Sequence, residues 1–167
     1  SYSCNGFEVY TSNNLYDWTY GCIVAKKDDI IGYTGYAQAD FDRLSIERVE
    51  EIMLRIKTIP EGIFAFRSMS GRGVHVYYQY VEKSAVSQRE ADLYIQGFRQ
   101  GNEYLSTLLC ADYDTGTEPA VHPSSLCHDP DAYFNPGAHP FVVDMSKPIA
   151  KRRTNDSICR TEPSSKD

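Results

Sequence analysis

The sequence lacks four features that would each place it in a common functional class. No apolar run is long enough to cross a bilayer, and no charged-then-apolar signal segment opens the chain. The phosphate-loop pattern GxxxxGK(S/T) does not occur. A basic excess is missing too, since 23 acidic residues outnumber 17 basic ones and the formal net charge is −6. These absences count against a membrane protein, a P-loop nucleotidase and a non-specific binder of duplex DNA.

Cysteines are few and poorly spaced for cross-linking or for zinc. Their number is odd, they are widely separated and none forms a CxxC pair, which argues against a disulfide framework and a Cys-type zinc site. We expect reduced thiols in a cytoplasmic protein. The five are Cys4, Cys22, Cys110, Cys127 and Cys159. The chain begins at a serine rather than a methionine, which suggests a piece of a longer protein.

Two stretches have the apolar spacing of amphipathic helices. Residues 45–59 begin with Ser45, a good N-cap, and are followed by Pro60, which ends a helix. Residues 87–109 open with a capping box that Glu90 completes. The apolar positions predicted for the first helix are Ile46, Val49, Ile52, Met53 and Ile56.

Strands are predicted at 35–41, 62–66 and 73–81, and again in LLCADYD, residues 108–114. The order strand, helix, strand, strand, helix, strand is the split β-α-β pattern. We therefore predict an α+β fold with an antiparallel sheet and both helices packed on one face. The pattern alone suits an RNA-recognition module, a ferredoxin-like enzyme domain or a nucleotidyl-transferase palm. Shorter strands are predicted in GFEVYT and YGCIVAKK, nearer the start of the chain.

Domain limits are predicted from composition. We expect one domain over residues 1–145, with the split β-α-β core at about 30–115. Residues 146–167 form a polar basic tail or linker, which we expect to be disordered.

Two acidic pairs end predicted strands. Asp40 and Asp42 lie two residues apart, so both side chains leave one face of the sheet. Asp112 and Asp114 end the strand after the second helix, and the first and last strands of such a unit can lie close together. Carboxylates that close repel unless a cation lies between them, and Mg²⁺ prefers carboxylates with phosphate oxygens. The sequence thus indicates a Mg²⁺ or Mn²⁺ site, although both segments also have the composition of ordinary turns.

The loop SMSGRGVHV, residues 68–76, carries more glycine and polar residues than a hairpin needs. Its glycines allow a close backbone approach, its serines donate hydroxyls, and arginines bind phosphate oxygens with a fixed fork. A neutral or charged histidine can donate to a triphosphate. A plain hairpin with surface arginines and a structural histidine is the alternative. The predicted nucleotide-binding residues are Arg67, Ser70, Gly71, Arg72, Gly73 and His75.

Three motifs in this order resemble the archaeo-eukaryotic primase superfamily: D-x-D at a strand end, SGRGVH opening a later strand, and an acid after a helix. That superfamily has an RRM-like catalytic core. A closer resemblance, over roughly residues 30–142, is to the VirE N-terminal family. It is carried by DFDRLSIERVEEI, SGRGVHVYY and HDPDAYFNPGAHPF. Members of that family are primase-like domains beside helicase-type domains in Bacteroidetes and their mobile elements.

The resemblance implies a primase/polymerase-type nucleotidyl transferase for a mobile element or phage replication system. Such a domain uses two Mg²⁺ or Mn²⁺ ions to make or extend primers from NTP or dNTP on a single-stranded DNA template. It implies Asp40, Asp42 and Asp112 as catalytic metal ligands, with Asp114 as the alternative to Asp112. His75, with Ser70 and Arg72, would bind the phosphates of the incoming nucleotide.

Two other functions are compatible with parts of the sequence. The family has an arginine shortly before the DP dipeptide, whereas HPSSLCHDP has none. This favours a catalytically weak or inactive module that binds nucleotide or single-stranded nucleic acid beside a helicase-type domain or subunit. A rolling-circle nuclease needs paired histidines and a helical tyrosine, and VHVYYQY has one histidine and strand tyrosines. We expect DPDAYFNP to shape the pocket wall, with Tyr133 and Phe134 packed on the sheet edge.

Overall fold

The computed structural model of the chain describes residues 30–83, 90–120, 122 and 127–148, and the backbone of four short strands before residue 30. Residues 149–167 of the predicted tail and Ser87 of the predicted capping box lie outside the described residues. The short strands are β1 (Tyr2–Cys4), β2 (Phe7–Val9), β3 (Tyr16–Asp17) and β4 (Cys22–Ile23). β2 and β4 fall within the two segments predicted as strands near the start of the chain. β2 pairs antiparallel with both β1 and β5 (Ile30–Tyr33).

The main sheet is organised around its longest strand, β8 (Val74–Glu82). β6 (Tyr36–Phe41) and β7 (Gly62–Arg67) both pair antiparallel with it. β9 (Tyr133–Phe134) pairs antiparallel with β7, and β10 (Phe141–Val143) pairs in parallel with the end of β8. The cross-strand register sets Asp40 opposite His75, and His75 opposite Phe66. These three side chains therefore share one face of the sheet.

Both predicted helices are present and pack against the other face. They are α1 (Ile46–Arg55), continued by a 3₁₀ turn (Ile56–Thr58), and α2 (Glu90–Leu109). Small and β-branched residues of the sheet meet the apolar faces of the helices in one core. The hydroxyl of Tyr78 on β8 donates to the Gly97 carbonyl of α2. At Gly101 a Cβ atom would clash with the Tyr78 ring, so glycine permits the close approach of α2. The α+β class and the antiparallel β6–β8–β7 sheet are confirmed.

The strand predicted after the second helix, at residues 108–114, is wrong. α2 continues through Leu109, and Cys110 ends it with a positive φ of 50°. Residues 111–114 then run beside β6 without a regular ladder, joined to it by one hydrogen bond from the N–H of Asp114 to the carbonyl of Asp40. The predicted position of this segment, close to the first strand of the unit, is confirmed.

Of the predictions for the first helix, the N-cap is confirmed and one apolar position is wrong. Ser45 caps α1 through a hydrogen bond from the Arg48 N–H, as predicted, but Ile46 is 66% exposed rather than part of the apolar face. Cys110 and Cys127 are not joined to another cysteine in a disulfide, and the other cysteine side chains lie outside the described residues. No helix within the described residues is long and apolar enough to span a membrane.

Candidate functional site

The carboxylate of Asp40 lies at the centre of the candidate site. It is on β6, the residue is 8% exposed, and Oδ1 has no hydrogen-bond partner among the described residues. Burial, and then the neighbouring carboxylates of Asp42 and Asp114, raise the pKa of Asp40 to about 7. The three acids are therefore close enough to repel one another. An oxygen buried without a partner is costly, and this one is adjacent to negative charge.

The other predicted acids line a cleft beside Asp40. Asp42, Asp112 and Asp114, with Arg43 and Tyr113, enclose about 190 Å³. Asp114 Oδ1 accepts a 2.7 Å hydrogen bond from the Gly116 N–H and caps a short 3₁₀ turn, Thr115–Thr117. Asp42 and Asp112 are both exposed to solvent. The structure thus brings together all four acids predicted from the sequence.

The glycine hairpin packs directly against this cleft. A Cβ atom at Gly73 would lie 2.6 Å from Asp42 Oδ1 and 2.9 Å from the Phe41 carbonyl, so no side chain fits there. Gly71 has a φ of 69°, a backbone conformation that side-chain-bearing residues rarely adopt. Ser68 and Ser70 bond each other through their hydroxyls at 3.1 Å. These contacts fix the hairpin beside the first acidic pair.

Arg72 ties the hairpin to the segment that follows Asp42. Its carbonyl accepts from the Leu44 N–H at 2.9 Å, and its Nε donates to the Leu44 carbonyl at 3.2 Å. The side chain is exposed beside the glycines. Arg72 is therefore the predicted arginine that the fold sets next to the cleft.

His75 is held from two sides on the same face as Asp40. The Gln38 Nε2 lies 2.7 Å from His75 Nδ1, and the Phe66 ring stacks on the imidazole at 5.0 Å with a 25° interplanar angle. Burial lowers the pKa of His75, partly offset by the charge of Asp42. The imidazole is therefore neutral at physiological pH and has one N–H to donate.

Arg67 does not line the acidic cleft but a different pocket, which it shares with Ser68 and Gly71 of the hairpin. It lies opposite Val74, on the helix-packed face of the sheet. Its guanidinium donates to Glu50 and to Asp129, and Asp129 also accepts from the Arg67 backbone N–H. The Asp129 side chain is 4% exposed. Arg67 therefore anchors the DPDAYFNP segment, and the packing predicted for that segment on the sheet edge is confirmed in β9.

The acids of the site have the donor chemistry of a divalent-cation site. The carboxylates supply the hard oxygen ligands that Mg²⁺ and Mn²⁺ prefer, and the unpartnered Oδ1 of Asp40 is an acceptor that a cation would satisfy. Within the described residues, however, no group of three or more His, Cys, Asp or Glu side chains has a geometry ready to hold a metal. The acids fit a cation by the chemistry of their oxygens, and their side chains would have to move to form a complete ligand shell.

Sequence reasoning missed two residues that shape the site. Gln38 lies two positions before Asp40, so strand alternation was the available signal that it shares the same face. Phe66 lies on β7 opposite His75, and that register is set by pairing across the sheet rather than by any local pattern.

Comparison with known protein families identifies a match over more than half of the chain. Residues 20–134 match a family described as BT4734-like, N-terminal domain. No curated protein and no solved structure matches the chain. The match covers the main strands β6, β7 and β8, both helices and all the candidate acids. The chain therefore belongs to the BT4734-like N-terminal domain family.

Proposed function

We propose that this chain is a nucleotidyl-transferase domain of the primase/polymerase type, which makes or extends primers on single-stranded DNA. The observation that carries the proposal is the state of Asp40. Its carboxylate is buried, one oxygen is unpartnered, and the charges of two further carboxylates raise its pKa. A protein that keeps such a cluster without a cation or proton gains nothing in stability from it.

The hairpin contacts Asp42 through Gly73 and so lies beside the acidic cleft, an arrangement that suits a nucleoside triphosphate bound with its metal. Asp40 and Asp42 would hold the cation together with Asp114 or Asp112. Divalent cations there would neutralise the triphosphate and stabilise the attacking and leaving oxygens of the transfer. The ordered hairpin and the exposed guanidinium of Arg72 would bind the phosphate oxygens.

The resemblance to primase-like domains supports the same function through its three motifs. Their members Asp40, Asp42, His75 and the glycine hairpin are neighbours in the fold, although they are up to 35 positions apart in the chain. We propose, as part of the same function, a nucleotide substrate, a single-stranded DNA template and a helicase-type partner. Because the net charge is acidic, contact with a template would not extend over the whole surface. We expect it to be confined to the sheet edge.

One observation favours a second function, a binding module without catalysis. In the described part of the chain no three ligands are arranged for a metal, and Arg67 is occupied by carboxylates. Such a module would hold nucleotide or single-stranded nucleic acid for a neighbouring helicase. It predicts nucleotide binding that does not need a divalent cation.

Calorimetry separates these functions. Binding of dCTP or ATP is measured with and without Mn²⁺, for the wild type and for the double variant Asp40→Asn/Asp42→Asn. The transferase proposal expects Mn²⁺-dependent binding that the double variant loses by at least roughly tenfold, as two charged ligands are removed. Metal-independent binding in both proteins favours the binding module, and no binding by a folded wild type rejects the transferase.

A matched control removes two acids elsewhere. Asp92→Asn/Glu103→Gln changes the net charge by the same amount on α2, away from the cleft. Its binding should equal that of the wild type. An equal loss in this variant would mean that overall charge, and not the site, governs nucleotide affinity.

A further inference from the structure

Gln38 makes an unusual contact with His75. The glutamine is 2% exposed and lies on β6, two residues before Asp40. Its Nε2 is 2.7 Å from His75 Nδ1. With the amide nitrogen turned to the ring, Gln38 donates and Nδ1 accepts, an arrangement that requires the imidazole proton to be on Nε2.

Asp40 competes for the same imidazole nitrogen. Its Oδ1 lies 3.5 Å from His75 Nδ1, beyond the usual range of an N–H···O hydrogen bond. A carboxylate at that position attracts a proton to Nδ1. Because Gln38 supplies its own proton there, Asp40 is left with an unpartnered oxygen. The glutamine thus keeps the histidine and the aspartate from pairing with each other.

We propose that Gln38 is a positioning residue that holds His75 as the neutral tautomer with its proton on Nε2. This leaves Nε2–H free to donate to a phosphate oxygen and leaves Asp40 Oδ1 free to bind a cation. The tautomer stands on the geometry by itself, whereas the phosphate contact rests on the proposed function.

The surroundings of Gln38 keep this arrangement rigid. Asn102 on α2 donates from Nδ2 to the Gln38 backbone carbonyl at 3.1 Å, within the buried core. Phe66 stacks on the imidazole and fixes the plane of the ring. Gln38 Oε1 is buried and has no partner among the described residues. That unpartnered oxygen is the cost of keeping the amide nitrogen turned towards the histidine.

The tautomer can be read directly by NMR. Long-range proton–nitrogen correlation spectra of the full chain, labelled with ¹⁵N in histidine, distinguish a protonated ring nitrogen from an unprotonated one. The His75→Gln variant identifies the His75 signals by their loss. At pH 8 the wild type should have its proton on Nε2. A wild type with the proton on Nδ1 overturns the proposal, whatever any variant does.

Substitutions then test the cause. Gln38→Leu removes the donor, so the proton should move to Nδ1 and pair with Asp40. Gln38→Glu introduces an acceptor and should move the proton in the same way, which provides a second variant if the first does not fold. Gln79→Leu, the same change at a half-buried position on β8, should keep the wild-type tautomer. An unchanged tautomer in a folded Gln38 variant contradicts the assignment.

Nucleotide affinity links the tautomer to function. Gln38→Leu should weaken Mn²⁺-dependent dCTP binding roughly tenfold or more, since a hydrogen bond to charged phosphate and a free Asp40 oxygen are both lost. If the tautomer switches but affinity is unchanged, the positioning role is wrong. If the wild type binds no nucleotide, the proposed function fails and the tautomer result stands separately.

Discussion

The backbone N–H of Asp114 donates a 2.7 Å hydrogen bond to the carbonyl oxygen of Asp40. This bond joins the segment after α2 to β6, which pairs with the central strand β8 on its other side. It brings the second acidic pair beside the first, which no local feature of either segment determines. The carboxylate of Asp114 then contributes to the raised pKa of Asp40.

That bond distinguishes the two candidates for the third acid. Asp114 is half-buried against β6, whereas Asp112 is exposed at the mouth of the cleft. We expect Asp114→Asn to reduce Mn²⁺-dependent dCTP affinity at least tenfold and Asp112→Asn to reduce it less. Because asparagine caps a turn about as well as aspartate, Asp114→Asn should keep its thermal stability. Calorimetry on both variants decides, and a larger loss for Asp112→Asn would reverse the assignment.

Asp40 should make stability depend on pH in an unusual direction. Its pKa in the folded state, about 7, lies above the value of 3.8 for an unperturbed aspartate. The folded state therefore holds a proton that the unfolded chain has lost, and stability falls as pH rises from about 4 to about 7. Asp40→Asn should thus be more stable than the wild type at pH 8, by roughly 1–4 kcal/mol, and equal to it near pH 4.

Urea unfolding followed by circular dichroism measures this difference at both pH values. Addition of Mn²⁺ at pH 8 should stabilise the wild type alone and narrow the difference in stability, because an ion held by the folded wild-type carboxylates would favour the folded state. The control Asp131→Asn alters a side chain that is 75% exposed and should change stability by less than about 0.5 kcal/mol. If Asp40→Asn is destabilising at pH 8 without metal, the repulsion is not present as described.

The helices and the central strands could be predicted from sequence because their signals are local. Val49, Ile52 and Ile56 recur at helical spacing and are buried as that pattern predicts. The predicted end of the second helix at residue 109 is confirmed, whereas the strand predicted from residue 108 could not have been excluded from sequence, because a left-handed residue at Cys110 and contacts from α1 set the course of the chain there. Arg48 donates from Nη2 to the Leu109 and Cys110 carbonyls, which closes the C-terminus of α2 from a distance of 61 positions or more in sequence.

Gly73 should be the glycine that the site cannot lose. In Gly73→Ala the added methyl meets Asp42 Oδ1 at 2.6 Å and the Phe41 carbonyl at 2.9 Å, so carboxylate and hairpin must move. We expect about 1–3 kcal/mol of destabilisation and at least a tenfold loss of Mn²⁺-dependent dCTP affinity.

Gly71→Ala serves as the matched comparison for that variant. Nothing lies within 4 Å of the added Cβ at Gly71, and the positive φ alone costs about 1–2 kcal/mol. Its nucleotide affinity should fall less than that of Gly73→Ala. Calorimetry and thermal unfolding of the pair check this, and equal losses of affinity would show that Asp42 is not the group displaced.

We expect Arg67 to contribute to folding stability and Arg72 to contribute to nucleotide binding. Burial would raise the pKa of Asp129, but hydrogen bonds from the Arg67 and Asp131 N–H groups and the guanidinium of Arg67 outweigh it and hold the pKa below its usual value. Arg67→Met leaves this buried charge unpaired and should cost roughly 2–4 kcal/mol without weakening dCTP binding. Arg72→Met, at an exposed position, should weaken binding with little loss of stability. Unfolding and calorimetry test both, and the opposite pattern would restore Arg67 to the nucleotide site.

Pairing across the sheet gives Arg67 and Arg72 different surroundings, which the sequence alone could not show. Both belong to one loop and its flanking strand, so their spacing gave no reason to separate them. The register places Arg67 opposite Val74, whose side chain is buried on the helix-packed face, while Gly73 meets Asp42 at the cleft. A strand residue alternates in direction, and only the pairing tells which direction is the core.

Paramagnetic broadening by Mn²⁺ tests the central claim most directly, because it locates the ion on the protein. Substoichiometric Mn²⁺ is added to the ¹⁵N-labelled chain at pH 8, and backbone amide signals are followed. The account predicts that the amides of Phe41, Gly73 and Asp114 broaden first, and that the double variant Asp40→Asn/Asp42→Asn loses the effect. Broadening centred instead on Glu50, Asp129 and Asp131, or no localised broadening at equimolar Mn²⁺, would contradict a metal site at the Asp40 cluster.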